Sequence, residues 1–192
     1  MLQGHFYSPD RPLYMNYAAI GYVIGHELIH GFDDLGRLYD KDGNLNDWWD
    51  PKTKMAFDEK KKCIIEQFGN YTDKSTNMSL NGINGQGENI ADTAGIKLAY
   101  RAYRSAVKKL RIKEPTLPDM PFVPEQLFWI TAAQTWCSVE RLEVKKVLIL
   151  TDNHALSQFR VLGTLSNSRD FARDFSCSAG SAMNPVQKCE VW

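Results

Sequence analysis

Between Tyr17 and Asp34 the chain is apolar on nearly every side of a helical projection, yet His26, Glu27 and His30 lie inside that run. A helix apolar all round is normally buried. Burying two imidazoles and a carboxylate is costly unless a metal or hydrogen-bond partners satisfy them. Any fold for this chain must therefore bury one helix that is also a polar site.

The spacing narrows the chemistry. His26 and His30 are four apart, so on a helix they project from one face a turn apart, and both imidazoles can reach a single zinc ion. Glu27 lies roughly 100° around the axis from His26, beside the metal, where a general base for a zinc-bound water belongs. A catalytic zinc site takes three protein ligands and keeps a position for water. Gly87-Glu88-Asn89-Ile90-Ala91-Asp92 opens a second long helix, with Glu88 and Asp92 again four apart. Glu88 can supply the third ligand, and Asp92 can accept a hydrogen bond from the outer nitrogen of a ligand histidine. One of Asp33 and Asp34 is spaced to do the same for His30.

The rest of the chain reads as mainly helical. Asn16 is the expected N-cap of the first long helix and Gly36 its stop. Asp42-Gly43 marks a hairpin or irregular loop. Asp50-Pro51 opens an amphipathic helix through Phe68, ending at Gly69, with Met55, Cys63 and Ile64 as its core face. Residues 69–87 read as loop. The second long helix is expected over 88–110, with Ile90, Ala94, Leu98 and Ala102 approximating one face and basic residues at its C-terminus. Another helix is expected over 125–137. Residues 144–150 are helix or strand, 153–163 loop merging into an apolar segment, 169–175 a short helix, and the end an irregular tail.

Lysine plus arginine and aspartate plus glutamate balance at 23 each, so no net field favours nucleic acid or an anionic membrane. No stretch is apolar for long enough to span a membrane, and the start lacks signal-peptide features. Asn70-Tyr71-Thr72 and Asn77-Met78-Ser79 are glycosylation sequons in a polar stretch. The four cysteines, Cys63, Cys137, Cys177 and Cys189, form no C-x-x-C pair, leaving buried thiols or long-range disulfides.

Taken together, the landmarks resemble the C-terminal catalytic part of the neprilysin and endothelin-converting-enzyme family of zinc metallopeptidases. They are Asn16-Tyr17 through Asp34, Asp42-Gly43 through Trp48-Trp49, Glu88 through Tyr103, Asp152-Asn153-His154 with Phe159-Arg160-Val161, and Met183-Asn184-Pro185 with Cys189-Glu190-Val191-Trp192. The resemblance implies a mainly α, zincin-like (thermolysin-type) catalytic domain with a small β-hairpin, filling residues 1–192 and truncated relative to the family.

It further implies one zinc ion per chain held by His26, His30 and Glu88, water activated by Glu27, and a ligand histidine oriented by Asp92. His154 is then the oxyanion donor, Arg160 binds a substrate carbonyl, and the reaction is hydrolysis of peptide bonds in an extracellular or plasma-membrane ectodomain. By the same resemblance Cys63 pairs with Cys189, while Cys137 and Cys177 have their partners in an N-terminal region that this chain lacks, together with the lobe that closes over the cleft. The competing expectation is a catalytically inert zinc-binding fragment or binding module lacking half of the substrate cleft.

Overall fold

The computed structural model describes residues 4–192; the first three residues of the expected N-terminal arm lie outside it. Among the described residues are eight α-helices: α1 (Leu13–Ala18), α2 (Ile20–His30), α3 (Pro51–Gly69), α4 (Gln86–Leu110), α5 (Pro124–Gln134), α6 (Leu142–Thr151), α7 (Ser157–Asn167) and α8 (Arg169–Asp174). One antiparallel hairpin joins β1 (Thr72–Asp73) to β2 (Met78–Ser79), with Thr72 opposite Ser79. The chain is mainly α with a small sheet, as expected, but the hairpin lies within residues 69–87, read as loop, whereas the stretch around Asp42-Gly43 forms only an isolated Tyr39–Leu45 bridge.

The long helix expected from Tyr17 to Asp34 is in fact two. It starts earlier, at Leu13, breaks at Ala19 (φ −98°, ψ −87°) and ends at His30. Asn16 caps nothing: inside α1, its side chain accepts from Ser8 N at 3.2 Å and donates to Ser8 O at 2.8 Å, pinning the N-terminal arm. The early stop has a local cause. The Asp33 carboxylate accepts from the backbone N–H of Leu35 (2.9 Å) and Gly36 (2.7 Å), an alternative to helical bonding that favours a turn. Gly36 consequently opens a 3-10 turn, Gly36–Leu38. Nor is α2 buried all round: Tyr22, Gly25, His26 and Ile29 face inward, but Ile24 and Leu28 are 52% and 62% exposed.

Helix α3 starts as read, with Asp50 accepting from Lys52 N and Thr53 N and Pro51 in the first turn. Its core face is Phe57, Ile64 and Phe68, whereas Met55 is exposed. Nine residues separate Met55 from Ile64, which places them roughly 180° apart on a helix. In α4 the expected i, i+4 row drifts by roughly 40° per step, so Ile90 and Ala94 are buried while Leu98 and Ala102 turn outward and Ala99, Tyr100 and Tyr103 take over. Residues 144–150 resolve as helix. The start of α7 lies in a stretch read as loop, because its inward face carries Arg160, Thr164, Ser166 and Asn167, which mask the apolar period.

Helix α4 belongs to two cores. Its N-terminal half packs with Ile29, Phe57, Ile64 and Phe159, and its C-terminal half with Tyr14, Tyr22, Phe128 and Trp129. Between those halves α2 and α4 run antiparallel and meet at glycines. A Cβ on Gly25 would lie 2.5 Å from the Gly95 carbonyl oxygen, and one on Gly95 2.5 Å from the His26 backbone nitrogen. Both obstacles are backbone, so neither can swing aside. Gly95→Ala gains about 1 kcal/mol of helix propensity, but the overlap drives the helices apart at a cost of about 3 kcal/mol. A net loss of about 2 kcal/mol is expected in urea denaturation; an unchanged or raised midpoint would show that the crossing tolerates a methyl group.

The tail closes over the end of α2. Cys63 and Cys189 form a disulfide with Cα atoms 5.3 Å apart, Lys60 Nζ donates to Val191 O at 3.0 Å, and Trp192 Nε1 donates to Phe32 O at 3.2 Å. Cys137 is exposed and Cys177 half-buried, both as free thiols. Asn70 and Asn77 are exposed. No described helix is long and apolar enough to cross a membrane.

Candidate metal centre

The glycine crossing sets the register that brings distant residues together. His26 and His30 come from α2, Glu88 and Asp92 from the first two turns of α4, His154 from the α6–α7 connection and Arg160 from α7. His26 Nδ1 lies 2.9 Å from Asp92 Oδ1, and His30 Nδ1 lies 2.6 Å from Asp33 Oδ2. Of the two aspartates after His30, Asp33 therefore makes the contact. An ionised carboxylate only accepts, so each imidazole carries a proton on Nδ1 and turns Nε2 inward, where it can offer its lone pair to a cation on release of any Nε2 proton. The two Nε2 atoms face each other at 2.9 Å.

Glu88 Oε2 lies 3.2 Å from His26 Nε2 and 3.4 Å from His30 Nε2. It is buried yet lacks a hydrogen bond of acceptable geometry. Glu88 Oε1 receives Asn153 Nδ2 at 3.4 Å. His154 Nε2 approaches Glu88 Oε2 to 3.0 Å, and its Nδ1 lies 2.8 Å from Asp152 Oδ1.

Asp92, wholly buried, also takes both arms of the Arg160 guanidinium, Nε on Oδ2 and Nη2 on Oδ1, each at 2.7 Å. The guanidinium lies 3.7 Å from the Trp136 ring centroid. Arg160 is thus an interior cation balanced by Asp92, a contact that sequence spacing did not suggest. Glu27 stands apart, solvent-exposed beside buried His26.

The electrostatics favour positive charge at this point. Burial opposes protonation of His26, but the Asp92 and Glu88 carboxylates overcome it and push its pKa up to about 9. Burial likewise works to raise the Glu88 and Asp92 carboxyls. The histidines around Glu88, and His26 with Arg160 beside Asp92, prevail and hold both below the usual range.

This donor set fits zinc. Ligand atoms of His26, His30 and Glu88 lie within 4.8 Å of one another. Two imidazole lone pairs and a buried carboxylate oxygen without a hydrogen bond converge on one point, and two further carboxylates fix the rings from behind. A buried acceptor in that state is costly unless a cation completes it.

The seven site candidates from sequence are all in this region, six in direct contact and Glu27 adjacent, and Asp33 joins them through His30. Missed were the Arg160–Asp92 pair, the support of His154 by Asp152, and Gly25 with Gly95. The only available signal for the two glycines was their place inside a helical pattern, where glycine is unfavourable.

A family model for peptidase family M13 matches residues 1–191. The chain belongs to peptidase family M13. Among M13 relatives, neprilysin-2 of Drosophila melanogaster is 59% identical and endothelin-converting enzyme 1 of Bos taurus 48% identical, each over the whole chain. The chain spans 25% of the length of each. The zinc metalloprotease ZMP1 of Mycobacterium tuberculosis, solved with an inhibitor, superposes on the whole chain and 30% of its own with a TM-score of 0.90 at 31% identity. A Haemonchus galactose-containing glycoprotein complex gives 0.92 at 36% identity, covering the whole chain and 32% of its own.

Proposed function

We propose that residues 1–192 form the C-terminal catalytic part of a zinc-dependent metalloendopeptidase that binds one zinc ion per chain through His26, His30 and Glu88 and hydrolyses peptide bonds. The observation that carries this is the buried Glu88 oxygen lacking a hydrogen bond of acceptable geometry, facing the Nε2 atoms of His26 and His30. Zinc, when bound, supplies a Lewis acid that acidifies water and polarises a carbonyl.

The chain's own groups do the rest. Exposed Glu27 takes the proton of the attacking water and passes it to the leaving amine. Asp92 and Asp33 hold the two imidazoles in the tautomers that present Nε2 inward. His154, turned by Asp152, donates to the oxygen on which negative charge develops. Arg160, braced on Asp92, donates to a carbonyl of the peptide. The disulfide and the two exposed sequons support an extracellular site of action.

The test is turnover of a mixed peptide library by the zinc-loaded chain. Cleavage abolished by a chelator and restored by zinc supports the reading. Zinc bound at about one per chain without turnover favours the second reading, an inert zinc-binding fragment, which the chain's 25% share of its relatives' length makes worth testing. Failure to bind zinc sinks both.

A further inference from the structure

We propose that Asp73, on the β1–β2 hairpin and outside the metal cluster, is a positioning residue that holds the α6–α7 corner bearing His154 and Arg160 against α4. The proposal rests on the peptidase reading above for what the corner does, but not for the anchor itself.

Asp73 is 2% exposed, and both carboxylate oxygens are used. Oδ2 accepts from Ser75 Oγ at 2.6 Å and Thr76 N at 2.8 Å, within its own turn. Oδ1 accepts from Gln158 Nε2 on α7 at 2.9 Å and faces Lys145 Nζ on α6 at 3.5 Å. One buried carboxylate therefore joins three segments. The Ser75 hydroxyl, with Thr76 and Lys145, outweighs burial and holds its carboxyl well below the usual range, so the group is a charge.

This matters because α6 is otherwise weakly held. Of its residues only Ile149 is buried, while Val144, Val147 and Leu150 are exposed. Apolar packing fixes α6 only near its C-terminal end, through Ile149 and half-buried Leu148, and the Lys145–Asp73 pair supplies a second hold nearer its N-terminus. The helix ends at Thr151, next to the Asp152 that turns the His154 ring, and Gln158 precedes Arg160 by two residues. On its other side the corner is tied by Asn84 Nδ2 to Asp152 O at 3.1 Å and by Asn153 to Glu88. Asp73 thus closes a bracket around the His154 loop, with the hairpin and the α4 N-terminus as its two arms.

The test compares the full chain with Asp73→Asn, which keeps the shape and removes the charge. Hydrogen exchange of the metal-free proteins should quicken about tenfold over residues 145–160 and stay unchanged over α2. With zinc loaded, kcat should fall about tenfold while KM stays within about twofold and zinc content is unchanged, because His154 acts on charge developed in the transition state whereas Arg160 keeps its own brace on Asp92. Unchanged exchange at the corner overturns the proposal, as does exchange quickened throughout, the mark of general destabilisation, or unchanged kcat. Should Asp73→Asn fail to fold, Lys145→Met and Gln158→Leu each remove one donor and should reproduce part of the local effect. A wild-type chain without turnover sinks the peptidase reading alone, and the exchange pattern then upholds or overturns the anchor by itself.

Discussion

Glu27→Gln is expected to lower kcat for peptide hydrolysis by about 10²–10⁴-fold, the range for losing a positioned general base, with zinc content and urea midpoint unchanged. The structure makes this substitution clean. Glu27 is exposed and stands outside the hydrogen bonds of the histidine cluster, whose rings are fixed from behind by Asp92 and Asp33. Glutamine is isosteric and keeps the helix, so only the capacity to accept a proton is lost. Steady-state kinetics on one short peptide, with zinc measured on the same samples, separates the two quantities. Equal kcat in both proteins would rule out proton transfer by Glu27.

Asp92→Ala should be the most damaging single change to the fold around the centre, destabilising the chain by about 3–5 kcal/mol. Asp92 is fully buried and receives two Arg160 nitrogens at 2.7 Å as well as the His26 ring at 2.9 Å. Its removal leaves a guanidinium in the interior without an anion, and that penalty exceeds the value of the pair itself. His26 also loses the acceptor that selects its tautomer, so zinc affinity should fall a further ~10–100-fold. Urea denaturation reads the first effect and competition with a chelator the second. Adding Arg160→Met to Asp92→Ala removes the stranded charge and should recover a large part of the stability. A double variant no more stable than Asp92→Ala would show that the stranded charge is not the cause.

Much of the centre was legible because helical periodicity converts spacing into geometry. His26 with His30, and Glu88 with Asp92, each sit one turn apart on one face whatever surrounds them. Asp50-Pro51 likewise starts α3 by purely local means. Misreadings arose where local signals met a competing contact. Asn16 has the chemistry of a cap, but its side chain is spent on Ser8. The apolar run continues past His30, but the Asp33 carboxylate draws the next amides into a turn. Met55 and Ile64 are both apolar, but nine residues put them on opposite sides of α3.

The sequence by itself therefore determined the candidate ligand types, their helical spacing, the mainly α class and the cap of α3, since each depends on residues a few positions apart. Only the tertiary structure decided that Arg160 neutralises Asp92, that Asp33 rather than Asp34 reaches His30, and that Asp73 ties the hairpin to α6 and α7. The first depends on how α7 packs on α4, the second on the turn that follows α2, and the third on where the hairpin meets α6 and α7. The α2–α4 spacing that lets His26 reach Asp92 is set by backbone meeting backbone at Gly25 and Gly95, a steric fact that no periodicity along one helix can express.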